Sequence, residues 1–198
     1  QELNKQKIKV LEISDFNTSG MRGPSVNGTV FYAFMKAKGQ SKKDSDDAAG
    51  SYGIGKFAPY STSKLRTIFV STIYKDENGD PKQLTQGKSI LMSHDVGSER
   101  RNGIGYFGVN EKCKPISGVH ATLPDWVQRA NNGEDLKNKL GTKLTVLAFN
   151  DAKSWEELLL VYVMENFFGA IIDGRLIVEI NDKFTVDQST IGELFDNI

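Results

Sequence analysis

Alternation of apolar and polar side chains along the chain predicts a series of β-strands. Residues 8–14, IKVLEIS, alternate with a period of two, and residues 65–75, LRTIFVSTIYK, are rich in β-branched and aromatic side chains. The turn sequence ENGD at 77–80 predicts a hairpin between the second strand and the next one. Further strands are predicted at 88–96, 103–111, 141–151 and 175–182.

Helical spacing and turn-forming residues predict five helices between these strands. The longest, residues 155–172, carries apolar side chains around most of its circumference, which predicts a buried helix of about five turns. The shorter ones are predicted at 29–37, 57–65, 123–133 and 189–198. This mixture of helices and strands favours an α+β fold, a two-layer sandwich with a mixed, mainly antiparallel sheet and helices on one face.

Composition narrows the class of protein. The 198 residues are 38% hydrophobic and 25% charged, which suits one domain with a sizeable core. Twenty-five basic and 25 acidic residues give a net charge of zero, so charge does not indicate a nucleic-acid partner. The sequence has no apolar run of about 20 residues, and Cys113 is its single cysteine. We therefore expect a cytoplasmic protein without a membrane span or disulfide.

A glycine-rich stretch at 50–61, GSYGIGKFAPYS, matches two phosphate-binding designs. Gly50, Gly55 and Lys56 fit the G-x-x-x-x-G-K of a P-loop, whereas Gly50, Gly53 and Gly55 fit a G-x-x-G-x-G loop that opens a helix. A P-loop needs a buried strand before it and Ser or Thr after the lysine. Charged residues precede the stretch and Phe57 follows the lysine, which favours the second design. A glycine loop without a ligand remains the third interpretation.

Three segments in order resemble the motifs of the GHKL superfamily. They are LEISDFNTSGM at 11–21, GSYGIGKFA at 50–58 and GTKLTV at 141–146. This superfamily comprises the ATP-binding domains of gyrase B, the ninety-kilodalton heat-shock chaperones, sensor histidine kinases and MutL, with the MORC proteins as relatives. The resemblance implies a Bergerat-type ATP-binding fold from Ile8 to about Asn150. Residues 151–198, a helix–strand–helix, would complete or extend a single domain.

The resemblance implies a role for residues of the first and third motifs in binding adenine. Asp15 would accept a hydrogen bond from the exocyclic amine, Thr142 would support the same edge of the base, and Met21 would line the base pocket. A carboxylate suits an amino donor and repels the keto oxygen that guanine carries there. The segment DFNTSGM departs from the family pattern, because Asn17 stands where a glycine is expected and one residue is added before Gly20. Asn can adopt the left-handed conformation that glycine would supply.

The resemblance also implies a phosphate site and a mobile lid. The phosphate-binding residues would be Gly20, Gly50, Gly53, Gly55 and Lys56, with residues 39–49 as the lid. In this superfamily an E-x-x-x-N helix before the first strand supplies the general base and a ligand for Mg²⁺. Glu2 and Asn4 are too close together to replace that pair, so we expect the catalytic residues upstream of Gln1 and no metal ligand in this chain.

These expectations describe the ATP-binding domain of a GHKL-type ATPase, with ATP and Mg²⁺ as cofactors. Binding would act as a conformational or dimerisation switch, with a second copy or an attached effector domain as the partner. The alternative is a non-hydrolysing GHKL-fold interaction module, which the extra residue in DFNTSGM would favour.

Overall fold

An antiparallel sheet is the main element of the computed structural model, which describes residues 2–37 and 55–196. The strands of the first 150 residues are β1 Val10–Ser14, β2 Thr67–Lys75, β3 Pro81–Ile90, β4 His94–Val96, β5 Glu99–Arg101, β6 Ile104–Phe107, β7 Ile116–Ser117 and β8 Gly141–Leu147. The sheet has the strand order β1-β8-β2-β3-β6, with β7 paired to β3, while β4 and β5 form a separate hairpin.

The α+β class and the mainly antiparallel sheet are confirmed, with two differences in detail. Every strand pairing within the described residues is antiparallel, so no parallel pair makes the sheet mixed there. The strand predicted at 88–96 lies instead at 81–90, because the β2–β3 hairpin closes directly across the turn at 76–80, where the Asp76 N–H donates to the Asp80 carbonyl at 2.9 Å.

Two short helices, α1 Val30–Met35 and α2 Ala58–Ser61, pack on one face of this sheet, which we call the helix face. Thr29 caps α1, since its hydroxyl accepts a hydrogen bond from the Tyr32 N–H. The apolar cluster between the helices and the sheet consists of Phe31, Met35, Tyr60, Ile68, Val70, Tyr74, Leu84 and Val146. Side chains alternate along a strand, so the even-numbered residues of β2 lie on the helix face.

Residues 118–140, which we call the covering loop, lie on the opposite face and are held by polar side chains of the sheet. Gln83 binds both the N–H and the carbonyl of Ala130, at 2.8 and 3.1 Å. The helix predicted at 123–133 is wrong, because only a 3-10 turn forms there, at Asp125–Val127. The N–H groups of Arg129 and Ala130 donate to side chains of the sheet and not to carbonyls of a helix. Other 3-10 turns occur at Glu2–Asn4, Gly55–Phe57, Glu111–Cys113 and Leu136–Lys139.

The chain forms two compact units, Gln1–Asn150 and Asp151–Ile198. The second contains α3 Trp155–Ile172, the β9–β10 hairpin at Val178–Ile180 and Phe184–Val186, and α4 Ile191–Asp196. Its core is formed by Leu160, Val163, Met164, Ile171, Ile180, Val186 and Ile191.

The helix predicted at 155–172 is confirmed, but it is only partly buried. Leu158 is 53% exposed and Tyr162 61% exposed, because the hairpin and α4 pack along one side of α3. Among the helices that the structure describes, none is long and apolar enough to cross a bilayer.

Candidate functional site

The first and third sequence motifs meet where β1 ends and β8 begins. Strand register pairs Ser14 with Lys143 and Thr72 of β2 with Thr142, so the residue after β1 lies beside Thr142. Paired residues of an antiparallel sheet share a face, so Thr72 and Thr142 lie on the helix face. Strand order thus brings Asp15 close to Thr142, although the two are far apart in sequence.

The Asp15 carboxylate is held through one of its two oxygens. Its Oδ1 accepts hydrogen bonds from the Thr142 N–H at 2.8 Å and from the Thr18 hydroxyl at 2.7 Å. The Asp15 N–H in turn donates to the Thr142 carbonyl at 3.0 Å. Among the described residues no donor reaches Asp15 Oδ2, and the side chain is exposed. One carboxylate oxygen of this exposed side chain is therefore fixed by two hydrogen bonds, and the other accepts from no donor in the described part of the chain.

Two buried threonines bind the backbone of the first motif beside this carboxylate. The Met21 N–H donates to Thr72 Oγ1 at 2.8 Å and to Thr142 Oγ1 at 3.2 Å. The two hydroxyl oxygens are 3.2 Å apart, and Thr72 Oγ1 also donates to the Gly141 carbonyl at 3.3 Å. The Met21 side chain is partly buried and packs against the apolar cluster of the helix face.

Thr72 was missed by the sequence analysis. Its signal is weak, since it is one hydroxyl between Val70 and Tyr74 in a row of apolar side chains on β2. Its burial at 0% exposure and its bond to Met21 make it part of the site.

The turn at 15–21 takes the conformation expected from its sequence. Asn17 has a φ of 58°, which confirms that it supplies the left-handed conformation in place of glycine. Gly20 has a φ of 65°, and a Cβ there would come within 3.0 Å of the Ile73 carbonyl and of Thr72 Oγ1. Glycine at position 20 thus permits the chain to run directly over β2.

Arg129 contacts the Asp15 backbone and the Phe16 ring, and neither Arg129 nor Phe16 was predicted from the sequence. Arg129 Nη2 donates to the Asp15 carbonyl at 2.6 Å, and its guanidinium carbon lies 4.2 Å from the centre of the Phe16 ring. Burial lowers the pKa of Arg129, while the charge of Asp15 acts in the opposite direction. No sequence spacing signals this contact, because Arg129 arrives from the covering loop.

No protein-family model, no curated protein and no solved structure matches the chain. The functional assignment therefore depends on the geometry of the site and on its three motifs.

The second motif is described only in part. Gly50, Gly53 and the proposed lid at 39–49 lie outside the described residues. Gly55 begins a 3-10 turn that leads into α2, and a Cβ on it would meet nothing within 4 Å. Because α2 has four residues, its dipole is small. These elements add little to anion binding at Gly55.

Lys56 is engaged with the end of α1. Its Nζ donates to the carbonyls of Ala33 and Ala37, at 3.1 and 2.6 Å, and lies 5.6 Å from the centre of the Phe57 ring. A lysine at these carbonyls satisfies groups that the helix leaves open. Burial lowers the pKa of Lys56. The structure thus gives Lys56 a helix-capping role that the sequence did not predict.

Within residues 2–37 and 55–196, no group of three or more His, Cys, Asp or Glu side chains is placed to hold a metal ion. Glu2 is in an ion pair with Lys5 at 2.8 Å.

Proposed function

We propose that this chain binds an adenine nucleotide, with the base against Asp15, Met21 and Thr142. The observation that carries the proposal is the hydrogen bonding of the two oxygens of the Asp15 carboxylate. Oδ1 is fixed by the Thr142 N–H and the Thr18 hydroxyl, whereas Oδ2 of this exposed side chain accepts from no donor among the described residues. A fixed acceptor at an exposed position suits a ligand that presents an N–H group.

Donor and acceptor chemistry favours adenine over guanine at such a position. The exocyclic amine of adenine can donate to Oδ2, whereas a guanine keto oxygen would face a carboxylate and be repelled. The hydroxyl pair of Thr72 and Thr142 adjoins the same carboxylate and can exchange donor and acceptor roles at 3.2 Å. Thr72 is fully buried, so of the two hydroxyls it is that of Thr142 that can bind a ring nitrogen of the base, directly or through water.

The wider proposal is a GHKL-type ATP-binding domain that works as a nucleotide-dependent switch. It is supported by the order of the three motifs and by the convergence of the first and third at one end of β1 and β8. ATP would place its phosphates toward Gly20 and the glycines of the second motif, and Mg²⁺ would neutralise phosphate charge. Closure onto a second copy or an attached effector domain would follow binding.

A nucleotide titration with two Asp15 variants tests the base assignment. Asp15→Asn keeps an oxygen for Thr142 and Thr18 but replaces the Oδ2 acceptor with an N–H donor. We expect ATP affinity to fall by roughly 1.5–3 kcal/mol, because a hydrogen bond to a charged group is lost. Asp15→Ala should weaken binding and also loosen the β1–β8 junction. Two results of isothermal titration would contradict the proposal: equal affinity of the wild type for ATP and GTP, or an ATP affinity of Asp15→Asn equal to that of the wild type.

A non-hydrolysing interaction module is the second candidate. The observation that favours it is the engagement of Lys56 with α1, together with the shortness of α2, because both reduce what the second motif offers to phosphates. Steady-state ATP turnover by the full-length protein, once it has been shown to bind ATP, separates the two candidates. Turnover above the rate of a buffer control supports the ATPase, and binding without turnover supports the module.

A further inference from the structure

Arg129 is a buried cation placed behind the Asp15 turn. The residue is 7% exposed, and its guanidinium donates through Nη2 to the Asp15 carbonyl at 2.6 Å and through Nε to the Lys139 carbonyl at 3.1 Å. The planar guanidinium presents its donors in a fixed fork. Arg129 therefore joins the end of β1 to the covering loop.

The backbone that carries Arg129 is itself bonded to the centre of the sheet. The Arg129 N–H donates to Ser71 Oγ at 2.9 Å, and Ser71 Oγ is 2.8 Å from Thr85 Oγ1. The next residue, Ala130, makes two hydrogen bonds with the Gln83 amide. The backbone of Arg129 and of Ala130 is thus attached to buried strands, so the point from which the Arg129 side chain extends is fixed.

Charge and stacking point the guanidinium at the Asp15–Phe16 peptide. Among the described residues Arg129 forms no ion pair with a carboxylate, and the charge of Asp15 acts to raise its pKa against the effect of burial. Its guanidinium lies 4.2 Å from the centre of the Phe16 ring, and Phe16 is 64% exposed. One side chain thus contacts both residues of the turn.

We infer that Arg129 is a positioning residue that sets the direction of the Asp15 carboxylate for the base, and this inference rests on the proposed function. The Thr142 N–H holds Asp15 Oδ1 from one side, and Arg129 holds the Asp15 carbonyl from the other. With both ends held, Oδ2 keeps one orientation. Without Arg129 the Asp15–Phe16 peptide can rotate, and the acceptor loses its direction.

A double-mutant cycle tests this role, with ATP titrated into the wild type, Arg129→Met, Asp15→Asn and the double variant. We expect Arg129→Met to weaken ATP binding about tenfold, the order of one hydrogen bond to a charged group. The double variant should bind as weakly as Asp15→Asn alone, because Arg129 acts through that carboxylate. Arg129→Lys keeps the charge without the fork and should recover part of the affinity.

The outcomes distinguish this inference from the proposed function. If the wild type does not bind ATP, both fail. If the wild type binds and Arg129→Met binds equally well, the inference alone is overturned. Equal losses from Arg129→Met in the wild-type and Asp15→Asn backgrounds would show a merely structural role and would also overturn it. Arg101→Met, at an exposed arginine that pairs with Glu99, is the control and should bind as the wild type does.

Thermal melting of each variant accompanies the titrations. If Arg129→Met fails to fold, Arg129→Lys and Arg129→Gln carry the test, since both keep a side-chain donor at this position. For either variant, a loss of ATP affinity that persists undiminished in the Asp15→Asn background overturns the inference. A loss that disappears there supports it.

Discussion

Asp15 and Thr142, 127 positions apart in the chain, hold each other through two hydrogen bonds. One joins the Asp15 N–H to the Thr142 carbonyl at 3.0 Å, and the other joins the Thr142 N–H to Asp15 Oδ1 at 2.8 Å. The second bond uses a side chain in place of a backbone carbonyl, just where the β1–β8 ladder ends. The ladder thus passes directly into the candidate site, and disturbing either residue disturbs both.

Substitution of Gly141 should damage this junction. Gly141 has a φ of 130°, and a Cβ on it would come within 3.0 Å of both the Asp15 carbonyl and Asp15 Oδ1. We expect Gly141→Ala to displace Asp15, to lower the free energy of unfolding by roughly 1–3 kcal/mol or more, and to abolish ATP binding. Urea unfolding and isothermal titration measure the two effects.

Gly79→Ala is the matched control for that substitution. Gly79 also has a positive φ, 82°, but a Cβ there would meet nothing within 4 Å. This variant should lose only about 1–2 kcal/mol through its backbone conformation and keep its ATP affinity. Equal effects of the two substitutions on ATP affinity would contradict the close contact at Asp15.

Removal of the Thr72 hydroxyl should loosen the Gly20–Met21 segment. Thr72→Val keeps the shape of the side chain but removes one of the two acceptors of the Met21 N–H. The Thr142 hydroxyl, at 3.2 Å, is then its remaining acceptor. We expect a loss of about 1 kcal/mol in stability and weaker ATP binding. Thr72→Ser keeps the hydroxyl and should bind ATP more tightly than Thr72→Val. An ATP affinity of Thr72→Val equal to that of the wild type would show that Thr72 does not contribute to the site.

The Tyr60 hydroxyl is buried with no hydrogen-bond partner among the described residues. Tyr60→Phe should therefore raise the free energy of unfolding by about 1 kcal/mol, because an unsatisfied polar group is removed. Tyr106→Phe is the comparison, since the Tyr106 hydroxyl donates to the Met35 carbonyl at 3.3 Å and its loss should be destabilising. Urea unfolding at neutral pH distinguishes the two, and stabilisation by both variants would contradict this difference.

Alkaline pH should destabilise the wild type through the same tyrosine. Burial raises the pKa of Tyr60 above its ordinary value, with a further contribution from Tyr106. The folded chain then keeps its proton where the unfolded chain loses it, so stability is fully present below about pH 10 and declines above it. Unfolding measured from pH 8 to 11 should show a shallower decline for Tyr60→Phe than for the wild type. An identical decline in the two proteins would argue against this contribution.

Loss of the Lys56 amine should destabilise the end of α1. Lys56→Met removes two hydrogen bonds to the Ala33 and Ala37 carbonyls and should lower stability by about 1–2 kcal/mol. Lys75→Met, at an exposed lysine on the last residue of β2, should leave the melting temperature nearly unchanged. We expect Lys56→Met to reduce ATP affinity less than Asp15→Asn does. If Lys56 proves indispensable for binding while Gly55→Ala is tolerated, the P-loop interpretation is favoured.

Local patterns were sufficient to predict the elements whose stability is local. Alternation predicted β1 and β8, and β-branched and aromatic residues predicted β2. The sequence ENGD predicted the β2–β3 turn, and apolar density predicted α3. The prediction of a helix at 123–133 failed because hydrogen bonds to Ser71 of β2 and Gln83 of β3 override the local helical propensity of the covering loop. The burial of α3 was overestimated, because a helix that is apolar around most of its circumference does not reveal which of its sides a small unit covers.

The candidate site was predictable at its motif residues and not beyond them. Asp15, Gly20, Met21 and Thr142 could be named from segments in order, and the structure brings them together. Thr72 and Arg129 enter through strand order and through the covering loop, and neither lies near a motif in sequence. Such residues are set by tertiary contacts, which a pattern along one chain does not record.

The position of β8 between β1 and β2 has a consequence for the order in which the protein can form during synthesis. β1 pairs only with β8 among the described strands, and β8 follows it by more than a hundred residues. While the ribosome makes that intervening chain, β1 has no neighbour in the sheet, and closing so long a loop is slow. A nascent chain that stops before Gly141 would carry every residue of the first motif without the strand that organises it. Nucleotide binding during translation should therefore appear only after residue 147 has left the exit tunnel.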